Sequence, residues 1–195
     1  KNILQAADAF LVVVRTFTDP SVHNPTGTVD AGRDVSDMLD ELAFSDLEVM
    51  ARAVERQDDA VKKAKPAERQ AMGRHLDAVK KAKTALEAGV PLRRQELSPS
   101  EAELLAAYQL LTAKPVIIAF NTDESGPDVL VSQLGLEDSV TQELGEVSLC
   151  GKLEEDLGLM SDEEDALFRE ELGVGEPATF KVNDVRYGTL GLISF

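Results

Sequence analysis

The 195 residues are 43% hydrophobic and 29% charged, ordinary for a globular chain and enough for one domain with a real core or two smaller ones. A formal net charge of −16 argues against a nucleic-acid surface spread over the whole chain, because phosphate would be repelled. A single cysteine rules out an internal disulfide framework and fits a reducing cytoplasm, and no apolar run approaches the ~20 residues of a membrane span.

The chain starts at Lys1 without a methionine and ends on the apolar Leu192-Ile-Ser-Phe195, so both ends read as cut from a larger protein. Lys1 to Ala7 reads as the end of a helix. Asp8-Ala-Phe-Leu-Val-Val-Val-Arg15 follows as a buried strand, apolar from Ala9 to Val14. Thr16 to Arg33 holds two prolines and two glycines and reads as a loop. His23 stands there with no second His or Cys at ligand spacing, so no metal site is assigned.

Asp34 opens a long helical pattern. Val35, Met38, Leu39 and Leu42 form an apolar stripe, which Leu47, Met50, Val54, Gln57, Val61 and Ala64 continue at spacings of three and four. Pro66 interrupts it, and Met72, Leu76, Val79, Ala82 and Leu86 repeat it until Gly89 and Pro91. Two narrow seams joined by a short turn predict an antiparallel coiled-coil hairpin, an arm more than a compact core. From Arg52 to Arg94, twelve Lys or Arg face six Asp or Glu, a local balance of +6. That surplus suits a solvated helix surface, or an anion-facing patch for RNA.

Ser98-Pro-Ser-Glu101 is a capping box with proline at the first helical position, and Leu104, Leu105, Tyr108 and Leu111 give its helix an apolar face. Next comes Lys114-Pro-Val-Ile-Ile-Ala-Phe-Asn-Thr-Asp-Glu124. Val116 to Phe120 is short, β-branched and continuously apolar, as in a strand covered on both faces. Ligands in open α/β sheets sit beyond the carboxyl ends of strands, which places Asn121 and Glu124 where side chains would be handed to a ligand. Val129 to Leu144 reads as helical, interrupted by Gly135, and Glu146-Val-Ser-Leu-Cys150 as a third strand. Ser161-Asp-Glu-Glu164 is a second capping box, starting a helix with Leu167, Phe168 and Leu172 inside; its acidic run favours the helix dipole rather than a metal. Gly173 to Pro177 breaks the chain before a last helix, Phe180 to Tyr187.

Gly145-Glu-Val-Ser-Leu-Cys-Gly-Lys152 imitates a phosphate loop, but has one residue too many between its glycines and Leu153 in place of the Ser or Thr that holds Mg²⁺. No G-x-x-x-x-G-K-[ST], H-E-x-x-H, C-x-x-C or G-x-S-x-G occurs, so no catalytic residue is assigned. Cys150 reads as a small buried apolar residue. What remains is a binding constellation of Asn121 and Glu124 after one strand and Ser148-Leu149 after another. An Asn amide offers a donor and an acceptor to a purine edge, and a carboxylate accepts from N–H groups. The same N-x-x-E pattern also suits a polar strand-end turn.

With these pieces in order, the chain resembles the YchF-type Obg-like ATPases, a branch of the P-loop GTPase superfamily. The resemblance is carried by Ala7-Asp-Ala-Phe-Leu-Val-Val-Val-Arg15, Asp19-Pro20, Gly27-Thr-Val-Asp30, Asp34, Glu41-Leu-Ala-Phe-Ser-Asp-Leu-Glu48 and Glu96-Leu-Ser98. Leu110-Leu-Thr-Ala-Lys-Pro-Val116, Asn121-Thr-Asp-Glu124, Ser148 with Lys152-Leu-Glu154, and Tyr187 with Leu190-Gly-Leu-Ile-Ser-Phe195 complete it. It implies an α/β fold: part of a doubly wound P-loop NTPase domain, interrupted by an antiparallel coiled-coil hairpin. The expected segments are 1–33 and 98–175 for the nucleotide-binding domain, 34–97 for the arm, and 176–195 for a linker and the start of a TGS domain.

The resemblance further implies binding of ATP in preference to GTP, with Mg²⁺ in the intact parent, cytoplasmic location, and association with the ribosome or RNA through the basic arm. Superfamily relatives end the base motif in Asp, which reads guanine; this family has Glu, as Glu124 is here. By that likeness Asn121, Thr122 and Glu124 frame adenine, and Ser148 and Leu149 form the second base-side loop, with Leu149 where the family more commonly has a small residue. The phosphate-binding loop, switch regions and Mg²⁺ ligands have no counterpart in these 195 residues, so the expectation is a base-recognition half that is not hydrolytic alone. The alternative is an interaction module whose coiled coil docks on ribosomal RNA or protein independently of nucleotide.

Overall fold

The structure is a computed structural model that describes residues 3–141 and 144–190. Its elements run α1 (Ile3–Ala6), β1 (Phe10–Arg15), α2 (Ala31–Lys63), α3 (Pro66–Glu87), α4 (Pro99–Ala106), β2 (Val116–Asn121), α5 (Asp138–Thr141), β3 (Gly145–Leu149), α6 (Gly151–Leu157), α7 (Asp162–Leu172) and α8 (Ala178–Leu190). They divide into a helical unit, Lys1–Asp8 with Asp37–Lys114, and a sheet unit, Ala9–Ser36 with Pro115–Phe195. Packing thus groups 98–114 with the hairpin.

In the sheet unit, three parallel strands lie in the order β1-β2-β3. The central β2 is buried along Val116 to Phe120, as its continuous apolar run requires. β1 departs from the expected buried strand. Phe10 and Val14 are buried, but Leu11 and Val13 on the alternate face are exposed, Val13 by 66%. A strand at the edge of the sheet has one face covered here, and strand alternation puts every second side chain in solvent. Ile117, Ala119 and Val147 lie on the same face as Leu11 and Val13 and pack against Val182 and Val185 of α8, while Phe10 and Val14 are buried on the opposite face with Val116, Ile118 and Phe120.

The helix expected from Asp34 begins three residues earlier, at Ala31. Asp30 is its cap: a side-chain oxygen accepts from Arg33 N–H at 3.0 Å, and its carbonyl from Asp34 N–H at 3.0 Å. In the helical unit, α2 and α3 meet through Met50 and Ala53 against Val79, Ala82 and Leu86, joined by Leu92, Leu105 and Leu110. The hairpin therefore has a true core at one end, which includes residues beyond the two seams. Met38, expected in the stripe, is exposed.

Asp46 is buried on α2 although charged. Its two oxygens accept from the Leu111 and Thr112 N–H groups at 2.8 and 2.7 Å, capping the 3-10 turn Leu111–Ala113. The Thr112 hydroxyl accepts from Leu92 N–H at 3.1 Å, and the Lys114 ammonium donates to the carbonyls of Gln5 (3.1 Å) and Ala7. The Ser45-Asp-Leu-Glu48 and Leu110–Val116 motifs are therefore physically joined.

Both capping boxes form, at Ser98–Glu101 and Ser161–Glu164, and Gly173 ends α7 in the left-handed conformation at φ 66°. Two expectations fail. The stretch 129–144 is not one helix: it holds a 3-10 turn, Val131–Gln133, a left-handed Gly135 at φ 68°, and the single turn α5, with 142–143 outside the described residues. Leu167, Phe168 and Leu172 are not inside; they are exposed by 63%, 44% and 56%. The inward face of α7 is instead held by Asp165 and Arg169. The expected start of a TGS domain falls partly on residues 191–195, outside the described residues.

Candidate functional site

The register puts Arg15, Asn121 and Leu149 on one rung at the carboxyl end of the sheet. Three loops leave from that rung, and between them lies an open cavity of about 400 Å³. One wall is Phe17, Thr18, Asp19 and Pro20 after β1; another is Asn121 to Ser125 after β2; Cys150 and Lys152 after β3 supply the third.

Asn121 is fixed from both ends. Its carbonyl accepts from the Thr16 N–H at 2.9 Å and hydroxyl at 2.8 Å, and its side-chain Oδ1 accepts from Gly151 N–H at 2.9 Å. A Cβ on residue 151 would lie 3.2 Å from that Oδ1, so glycine suits this close approach. With Oδ1 engaged, the amide has its NH₂ left as a donor for a ligand. Thr122 is buried and tied to β3, its N–H donating to Leu149 C=O at 2.9 Å. Glu124 is exposed on the cavity wall, in a turn closed by Gly126 N–H to Asp123 C=O at 3.0 Å.

Ser148 and Leu149 are placed differently. The Ser148 hydroxyl accepts from Val129 N–H at 2.9 Å and donates to Val129 C=O at 2.8 Å, and the Glu146 carboxylate accepts from Val131 N–H. These residues stitch the 129–131 segment to β3, and neither Ser148 nor Leu149 lines the cavity. The β3-side wall is Cys150 and Lys152 instead, with Cys150 Sγ capping α6 by accepting from Leu153 N–H at 3.5 Å. Gly145 to Leu149 is strand, not a loop around phosphate. The Lys152 ammonium pairs with Asp156 at 2.8 Å and Glu155 at 3.5 Å, and the Asp156 hydrogen bond raises its pKa.

Of the β1-side wall, the sequence motifs single out Asp19-Pro20 but not Phe17 or Thr18. The Arg15 guanidinium stacks on the Phe17 ring, 4.6 Å from its centroid, and donates to the carbonyls of Phe17 (2.9 Å), Val22 (3.0 Å) and Asp19 (3.0 Å). Phe17 is thus a braced aromatic surface. Asp19 accepts from the Ser21 hydroxyl at 2.7 Å and N–H at 2.8 Å, and these bonds hold its carboxyl below the usual value. A second cavity of about 500 Å³ shares Thr18, Asp19 and Pro20 with the first and adds Arg15, His23 and Asn24. The only sequence signal for this wall is the Asp19-Pro20 turn after an apolar run. Among the described residues, no three His, Cys, Asp or Glu converge as a metal site.

No family profile matches the chain. Sequence relatives do. The chain is 28% identical to the ribosome-binding ATPase YchF of Bacillus subtilis over 196 residues, covering 98% of this chain and 52% of that protein. It is 29% identical over 198 residues to the protein of the same name from Escherichia coli O157:H7, with the same coverages. Over 121 residues, 62% of this chain and 30% of the relative, it is 31% identical to Obg-like ATPase 1 of Oryza sativa subsp. indica. The solved Schizosaccharomyces pombe YchF GTPase superposes with a TM-score of 0.80 at 25% identity, over 95% of this chain and 51% of that one. The chain spans about half the length of the curated relatives it matches. Sequence and superposition agree, and what the chain is similar to is the YchF-type Obg-like ATPases.

Proposed function

We propose that this chain carries the base-reading edge of an adenine-nucleotide site, together with a helical arm that faces the ribosome. The observation that carries the reading is the Asn121 amide, held by Gly151 with its NH₂ free, in a cavity that also presents the Phe17 ring and the Glu124 carboxylate. An amide donor suits a purine ring nitrogen, an aromatic ring offers a stacking face, and a carboxylate accepts from an exocyclic amine. Adenine carries that amine; guanine presents a carbonyl at the corresponding position, which a carboxylate repels. Thr122 frames the strand end, and Ser148 and Leu149 act behind it by holding the flanking segment and the Thr122 N–H.

The relatives are named ATPases and GTPases, which supports a nucleoside triphosphate with Mg²⁺ as the ligand of the longer protein. Phosphoryl transfer needs a phosphate cradle and a metal clamp, and the 195 residues contain no G-x-x-x-x-G-K-[ST] stretch to build one. This chain alone therefore binds adenosine weakly and does not turn over ATP. Titration of the labelled chain with adenosine and guanosine, followed by NMR, tests the base reading. Shifts at Asn121, Thr122 and Phe17 that favour adenosine and vanish in Asn121→Ala and Glu124→Ala are expected; equal response to both nucleosides sinks it. ATP turnover by the purified chain would sink the claim of inactivity.

The second reading rests on the +6 balance of Arg52 to Arg94 in the hairpin. An arm docking on ribosomal RNA predicts ribosome binding that weakens steeply with salt and survives Asn121→Ala and Glu124→Ala.

A further inference from the structure

In the sheet unit lies a cluster that the base reading does not use. Arg169 of α7 is buried, and each of its three guanidinium nitrogens donates a hydrogen bond. Nη1 and Nη2 donate to Glu154 Oε1 and Oε2 of α6 at 3.1 and 2.9 Å, a two-pronged pair. Nε donates to both Asp165 oxygens at 2.8 and 3.0 Å, and Nη1 also reaches the Gly175 carbonyl at 3.3 Å. The Glu154 carboxyl is held below its ordinary value, mainly by its hydrogen bond with Arg169. One guanidinium thus joins α6, α7 and the turn before α8.

α6 needs such an anchor. It has seven residues, and its buried residue, Leu157, is at its far end. Its front end bears Gly151, whose N–H sets the Asn121 amide, and Lys152, which lines the cavity. Glu154 lies between the two ends, so the Arg169 pair fixes the end that Leu157 leaves undetermined. The sheet core of Ile117, Ala119 and Val147 packs on Val182 and Val185 and does not include this cluster.

We propose that Arg169 is a positioning residue for the base-reading edge: through Glu154 it sets the tilt of α6, and so the Gly151 N–H that turns the Asn121 donor toward the cavity. Its consequence for ligand rests on the adenine-site reading above; its consequence for Gly151 and Asn121 does not. A planar fork serves this role better than an ammonium, because two parallel bonds fix direction as well as distance.

The test uses the whole 195-residue chain, isotopically labelled and ligand-free, as wild type, Arg169→Gln, Arg169→Lys and Glu154→Gln. Amide exchange at Gly151 and the side-chain NH₂ signals of Asn121 are read first, with Ala119 and Val147 signals reporting the sheet. Exchange at Gly151 becomes about 10-fold faster in Arg169→Gln and Glu154→Gln and less so in Arg169→Lys, with the Asn121 signals moving in the same order. Unchanged Gly151 exchange and Asn121 signals in Arg169→Gln overturn the proposal. Should Arg169→Gln not fold, the nearly isosteric Glu154→Gln decides by the same two readouts. Adenosine is then titrated, and its affinity falls in the same order. Response of Gly151 and Asn121 in a chain whose wild type ignores adenosine supports the positioning role and overturns the base reading alone.

Discussion

Asp46 shows how one side chain can hold two distant sequence motifs together. A buried carboxylate normally carries a large desolvation cost, and here two backbone N–H groups at 2.8 and 2.7 Å offset it. Asp46→Ala leaves both donors buried without a partner, at about 1–3 kcal/mol each, so urea unfolding of the helical unit is expected to lose about 2 kcal/mol or more. A loss below about 0.5 kcal/mol would show that the turn at Leu111 finds other acceptors. Nothing in the local pattern announces this residue, since Asp46 sits in a helix rich in acids. Arg169 is hidden the same way, as one basic residue in an acidic run. By contrast Asn121, Thr122 and Glu124 are legible, because a short β-branched run that stops at polar residues marks a strand end directly. Phe17 and Asp19 are not, because their place beside Asn121 depends on a parallel pairing across about a hundred residues of chain.

At the scale of elements, what reads well is what is decided locally. Pro66 starts a helix through its fixed backbone angle, and Ser98–Glu101, Ser161–Glu164 and Gly173 start or stop theirs through bonds within four residues. Periodicity is weaker evidence: it says that α7 has an apolar stripe, yet Leu167, Phe168 and Leu172 are exposed because the face that packs is set by the Arg169 cluster. The two boxes also give a pH dependence. Glu101 is held down to about 2 by the Ser98 N–H, then the Lys81 ammonium and the Ser98 hydroxyl; Glu164 is lowered by the Ser161 N–H and hydroxyl. Depressed carboxyl pKa values stabilise the folded state above the ordinary value of 4.5, and that gain is lost as pH falls toward about 2. The urea midpoint is expected to drop across this window, and Glu101→Gln to lower it at pH 7 while flattening part of the drop. A parallel pH profile in Glu101→Gln would contradict the assignment.

For the molecule as a whole, the exposed Leu11 and Val13 of β1 bear on how the isolated chain behaves in bulk solution. An edge strand with apolar side chains is a template for pairing with another strand, which folded proteins oppose with charge. Here the opposition is the net charge of −16, a repulsion between whole molecules and not a local guard on the strand. Such repulsion fades once the screening length shrinks to about 8 Å near physiological ionic strength. The chain's colloidal stability is therefore expected to be a low-salt property. Light scattering should report monomers in dilute buffer and growing particles as sodium chloride is added, with Val13→Lys suppressing the growth; a hydrodynamic radius indifferent to salt would refute this. Handling the chain at low ionic strength keeps its sheet edge solitary, while the added salt that tests the proposed docking of the arm on RNA also releases the strand to find another copy of itself.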